Sequence, residues 1–172
     1  MSKPPQIPEP NYDDPKEIYA FFGLTYYKAA VLEHGVMNLA VAMLAKNVPG
    51  VTVGGVDRLY ESFDKKTFGQ IINAAKTRFS FPGALEADLA LALEQRNYLA
   101  HRFFIVHDID LLVPLGRRKM IDELIASLKH LKSVDTRMDE LWMTAWESFG
   151  ITKEWIEKEM GKYVAHRQAH DA

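Results

Sequence analysis

The chain contains no cysteine. Disulfide scaffolds, thiolate metal centres and thiol nucleophiles are therefore excluded, and the composition suits a cytoplasmic protein. An excess of one charge is also missing: 21 Lys and Arg stand against 23 Asp and Glu, for a formal net charge of −2. A strongly basic coat is ruled out, so any site for a polyanion must be a local patch. Proline is scarce outside one end, with five of the eight in residues 1–15. The N-terminus lacks the apolar stretch of a signal peptide. The most apolar segment, Val36–Ala45, follows Glu33 and His34 and is too short to span a bilayer, so no membrane partner is expected. No pair of segments shows the alternation of strands, which points to an all-α protein.

What is present is a single domain's worth of helix-forming sequence. A length of 172 residues, 48% hydrophobic and 26% charged, can bury a real core. Residues 1–15 read as an extended Pro-rich arm, and 16–172 as one helical domain. Asp13 or Asp14 can cap a first helix with Pro15 at its first position, running to about Lys46. Its apolar residues include Ile18, Phe21, Phe22, Leu32, Val36, Leu39 and Met43, and Gly23 and Gly35 mark a weak point or close packing. Asn47 to Ser62, with Pro49, Gly50, Gly54 and Gly55, reads as a loop with room for a short extended piece at Val51–Val53. Further helices are expected at about Lys65–Arg78, Ala84–His107, Arg117–Phe149 and Thr152–Gln168, about five in all, in an antiparallel bundle.

The clearest periodic signal is the fourth helix. Ile121, Leu124, Leu128, Leu131, Asp135, Met138, Trp142, Ala145 and Phe149 follow steps of three and four, a seam that needs a long partner, either antiparallel neighbours or a second subunit. Asp135 is its only polar member. It is either tilted outward, with Val134 in its place, or paired with a buried cation, for which Arg96 is a candidate.

The third helix carries the chemistry. Placed on a wheel of about 100° per residue, Leu85, Leu89, Ala92, Leu93, Leu99, Ala100 and Phe103 form a wide apolar arc with Arg96 in its middle. Glu94, Asn97 and His101 form a polar strip on another side, and Leu91, Tyr98 and Ile105 a second apolar surface beyond it. Arg, Asn and His in such a helix must each find a partner or cost free energy. Arg96 and His101 are about 140° apart around the axis, so a reaching arginine or a second subunit must bring them together. Such a set suits metal-independent cleavage of RNA: an imidazole can take the proton of a ribose 2′-hydroxyl or assist the leaving 5′-oxygen. A guanidinium can stabilise the phosphorane, and Asn97 can hold a phosphate oxygen or orient the histidine. The other reading is a structural polar network, with Arg96 paired to Asp135 or Glu94 and His101 satisfied in the core.

The phrase Leu93-Glu94-Gln95-Arg96-Asn97-Tyr98-Leu99-Ala100-His101-Arg102-Phe103-Phe104 resembles the R-x4-H motif helix of HEPN domains. Lys66–Ile72 and Gly116–Ile121 are similar to a bacterial HEPN-like group, so the resemblance covers roughly residues 60 to 130. Many HEPN domains are metal-independent RNases of toxin–antitoxin and phage-defence systems. The resemblance implies a HEPN-like helical bundle, Arg96 and His101 as catalytic residues, and Asn97 at the polar position after the arginine. It implies no cofactor, a homodimer whose two motifs share a cleft, single-stranded or loop RNA as substrate, and an antitoxin or regulatory protein as a further partner. Glu94 and Asp135 would support the site. Arg102, with Arg117 and Arg118 at the start of the fourth helix where cations oppose the dipole, would bind RNA. In HEPN toxins silenced by a nucleotidyltransferase, a tyrosine two residues after the histidine is adenylylated. Here that position is Phe103, which has no hydroxyl. The competing expectations are a non-catalytic interaction module and a nucleotide-binding module using the same cleft.

Other motifs fare worse. His166 and His170 have a metal-compatible spacing but lie in the last turns of the chain. Glu33-His34 and His107-Asp108 lack an evident third ligand. No Glu-x-x-His occurs, which argues against a di-metal bundle, and Asn47–Gly55 is not a phosphate-binding loop. No metal is expected.

Overall fold

A computed structural model describes residues 6–170 of the chain, the side chain of His170 excepted. It is all-helical, 75% helix with no strand among the described residues. Seven α-helices follow in order: α1 (Lys16–Ala45), α2 (Val53–Glu61), α3 (Phe68–Lys76), α4 (Leu85–His101), α5 (Phe103–Val106), α6 (Pro114–Glu147) and α7 (Lys153–His170), with a 3-10 turn at Asp110–Leu112.

Local chemistry sets most of the boundaries. Asp14 Oδ1 accepts from the Lys16 amide at 2.9 Å and Pro15 supplies a helical φ of −58°, so α1 starts where the Asp-Pro signal placed it. Thr67 and Gln70 form a reciprocal capping box at α3. Val113 is extended and Pro114 occupies the first turn of α6.

Two departures raise the count above five. The expected loop at 47–62 holds α2: the Thr52 hydroxyl accepts from the Gly55 amide at 3.2 Å, and Val56, Leu59 and Tyr60 pack on the core. Two of the three glycines that suggested a loop, Gly54 and Gly55, sit in its first turn, where a cap outweighs propensity. The expected helix to His107 instead breaks at Arg102 (φ −133°, ψ −25°) and resumes as α5. The run Phe103-Phe104-Ile105-Val106 is made of aromatic and β-branched residues that propagate helix weakly. The break sinks Phe103 to 1% exposure, edge-on to Tyr98 and Phe104.

The bundle is built around α1 and α6, and both run through two core clusters. Thr25 bonds the Leu124 carbonyl, Lys28 meets Asp135, and Trp146 Nε1 donates to the Asn38 carbonyl, so residue numbers rise together and the two helices are parallel. Helix α4 is antiparallel to α6, since Gln95 meets His130 and Asp88 meets Arg137. The expected seam therefore has one parallel and one antiparallel partner. It is wider than a single stripe, because Val134 and Asp135 are both buried. The connection needed to return the chain to a parallel start is the whole α2–α5 segment.

By length and composition α1 is apolar enough to cross a bilayer as a whole, although 56% of its most apolar window is buried inside the molecule. Residues 6–15 of the arm lie on the bundle: Ile7 and Tyr12 pack against the lower cluster, the Tyr12 hydroxyl donates to Asp122, and Arg118 lies 4.6 Å over the Tyr12 ring. In α7, Met160 and Val164 are 60% and 52% exposed.

Gly116 is the tightest backbone contact. A Cβ built there would lie 2.7 Å from the Asp110 carbonyl carbon and closer still to its oxygen and Cα. Backbone cannot give as a side-chain end can, so Gly116→Ala must push the 3-10 turn off α6. We expect a loss of about 3 kcal/mol, read as a lowered urea midpoint; a loss below about 1 kcal/mol would show that the turn moves freely.

Candidate active site

The motif residues lie where α4 crosses α1. Phe22, Tyr26, Arg96, Ala100 and His101 line one surface groove of about 430 Å³. The antiparallel crossing places Arg96 beside Glu33 and Phe103 beside Phe22. Ala100 stands between the two polar residues, and its small side chain leaves the floor open. One chain thus suffices to bring Arg96 and His101 to the same groove.

The two groups differ in how firmly they are held. The Arg96 side chain is half-buried; its Nη1 donates to Asn97 Oδ1 at 3.3 Å, and its Nε lies 3.9 Å from Glu33 Oε2, too far for a hydrogen bond. Most of its N–H donors thus remain for a ligand. His101 is exposed at the end of α4. Asn97 and Glu94 are exposed on the flank rather than in the lining.

Other expected site residues go elsewhere. Asp135, 3% exposed, is paired not with Arg96 but with Lys28, Nζ to Oδ2 at 2.6 Å, while its Oδ1 is buried without a hydrogen-bond partner. The parallel α1 brings Lys28 onto α6, a neighbour that the α4 sequence could not reveal. Arg117 Nη1 donates to the Leu111 carbonyl at 3.3 Å, which ties α6 to the 3-10 turn, and Arg118 is stacked on Tyr12. Both are committed to structure, away from the groove lining. Arg102 is exposed at the α4–α5 break. Leu91 and Ile105, read as a packing surface, are 44% and 72% exposed, whereas Tyr98 turns inward. No group of three His, Asp or Glu among the described residues could hold a metal. The side chain of His170 lies outside the described residues, so the His166–His170 pair cannot be placed.

The buried histidine among the described residues is His107. It is 2% exposed, with Nδ1 2.7 Å from Asp110 Oδ2 and Nε2 3.1 Å from Glu123 Oε2 and 3.2 Å from the Tyr98 hydroxyl. An imidazolium can donate to both carboxylates; a neutral ring donating from Nδ1 can accept the Tyr98 proton at Nε2. Burial, with the Glu123 carboxylate beside it, pushes Tyr98 up to about 12, so its hydroxyl stays protonated. This network pins α4, α5, the 3-10 turn and α6 together just below the motif. The His107-x-x-Asp110 spacing was visible, but Glu123 joins only through the return of α6.

The His107 and Lys119 hydrogen bonds hold the Asp110 carboxyl below its ordinary value. A depressed carboxyl contributes stability above the unfolded-state value and loses it as pH falls through the folded-state one. The acid-side slope of the urea midpoint, below about pH 4, should therefore be shallower in Asp110→Asn. It should not vanish, because Asp88 is lowered in the same way by Arg137. An unchanged slope would mean that Asp110 is as well solvated folded as unfolded.

No family model matches the chain, and neither a curated protein nor a solved structure matches it.

Proposed function

We propose that this protein is a HEPN-type, metal-independent endoribonuclease, a cytoplasmic toxin or phage-defence effector that works as a homodimer. The observation that carries the reading is that Arg96 and His101 share one open groove despite their separation around α4. In that groove neutral His101 accepts the proton of a ribose 2′-hydroxyl as the 2′-oxygen attacks phosphorus. The bond to the 5′-oxygen breaks, the 5′-oxygen takes up a proton, and the products are a 2′,3′-cyclic phosphate and a 5′-hydroxyl. Arg96 donates to the non-bridging oxygens as charge accumulates. Asn97, already bonded to Arg96, sets the guanidinium plane. The exposed Leu91 and Ile105 support a second copy docking beside the motif.

The second reading, a non-catalytic module, is favoured by the Glu33 and Asn97 contacts of Arg96, which would then be a strut. The test is cleavage of unstructured RNA in EDTA by the wild type, Arg96→Ala and His101→Ala. Equal activity in all three would overturn the assignment.

A further inference from the structure

The groove continues into a row of aromatic rings whose inner members, Phe22 and Phe104, pack on the core, while the exposed Tyr19 and Tyr26 are explained by neither the core nor the R-x4-H chemistry. Tyr19, Phe22 and Tyr26 lie at spacings of three and four on one face of α1, and Phe104 of α5 joins them. Tyr19 and Phe104 are stacked at 5.9 Å between centroids, Phe104 and Phe22 are 4.9 Å apart, and Phe22 and Tyr26 are stacked at 6.1 Å. Tyr19 is 57% exposed and Tyr26 is 38% exposed. The row spans about 10 Å along the helix. At its Tyr26 end the same groove holds Arg96 and His101, and Arg102 is exposed at the break between them and Phe104.

We infer that this row is a stacking site for the unpaired bases of a single RNA strand whose backbone passes Arg96 and His101 in the groove. The inference rests on the ribonuclease reading and adds its specificity element. Three arguments carry it. Exposed rings on the outside of a helix that run up to the groove holding Arg96 offer faces for bases beside a cation for a phosphate. Base–aromatic stacking needs an unstacked base, which a duplex does not offer, so the row selects strand over duplex. The acidic partner of Arg96, Glu33, faces that guanidinium, which offsets part of its charge.

The test is equilibrium binding of a short oligoribonucleotide containing 2-aminopurine, single-stranded or annealed, in a His101→Ala background that prevents turnover. Tyr19→Ala and Tyr26→Ala should each weaken binding of the single strand about tenfold and reduce quenching of the 2-aminopurine. Tyr26→Phe, which keeps the ring, should bind like the parent, as should Tyr27→Ala, whose 65%-exposed ring lies outside the row. Duplex binding should be weaker and indifferent to all of these variants. Parental affinity in both alanine variants, equal affinity for strand and duplex, or no binding of either would overturn the stacking site. So would a change in particle mass by light scattering with RNA affinity unchanged, which would make the row a protein contact. The two readings fail separately. Tyrosine-dependent binding with cleavage that survives His101→Ala removes the catalytic assignment alone, and His101-dependent cleavage with tyrosine-independent binding removes the stacking site alone.

Discussion

His101→Ala is expected to lower RNA cleavage in EDTA by about 10²–10⁴-fold, the usual worth of a positioned general acid or base. The fold should be untouched, because His101 is exposed at the last residue of α4. An unchanged urea midpoint beside lost activity separates chemistry from stability. Arg96→Ala should cost about 10²–10³-fold, the range for removing a preorganised donor to a transition-state oxyanion. Its ion pair with Glu33 is long and partly solvated, so little stability should go with it. Arg96→Lys should rescue poorly, since an ammonium cannot offer two parallel N–H donors to a phosphorane. Full activity in Arg96→Lys would show that the position supplies charge alone. Cleavage by the wild type that requires a divalent ion would overturn the mechanism.

The second large effect concerns stability. Lys28→Met should cost about 3–5 kcal/mol. Asp135 is buried on α6, its Oδ2 held by Lys28 and its Oδ1 already without a partner. Removing the ammonium strands a carboxylate in the core, and the desolvation of that charge, more than the lost attraction, sets the size of the effect. Asp139, one turn further along α6, makes matters worse. Burial raises its carboxyl, and the Asp135 charge raises it further, while Lys28 lowers it. Without Lys28 the two neighbouring acids lose the cation that both feel. The double variant Lys28→Met with Asp135→Leu should recover most of the loss, because an apolar pair needs no counter-charge. Urea unfolding of the four proteins in the cycle measures this. A single-variant loss below about 1 kcal/mol would show that water reaches Asp135.

Much of the architecture was legible in the sequence because it is written in local periodicity. The seam from Ile121 to Ala145 and the Asp-Pro start of α1 both became helix within a few residues of their expected ends. Leu85, Leu89, Ala92, Leu99 and Phe103, the greater part of the apolar arc of the third helix, are buried. The misreadings have different causes. At α2 glycines and a proline outweighed a threonine cap and a three-residue apolar face, and there packing of Val56, Leu59 and Tyr60 on the core overrides propensity. At Arg102 an unbroken apolar pattern hid a change of direction that weak helix propensity and the burial of Phe103 both favour.

By itself, then, the sequence determined that the protein is all-helical, where most of its helices begin and end, and that Arg96, Asn97 and His101 stand on one helix. Only the tertiary structure decided which groups they meet. It placed α1 parallel to α6, which gave Asp135 to Lys28 across 107 positions of chain and left Arg96 loose beside Glu33. It turned His107 inward to Glu123, 16 positions away, and put Phe22 and Tyr26 on the wall of the Arg96–His101 groove. Periodicity is a property of consecutive residues and survives in a one-dimensional reading. The partner of a buried charge is set by how whole helices pack, through contacts that no stretch of adjacent residues contains.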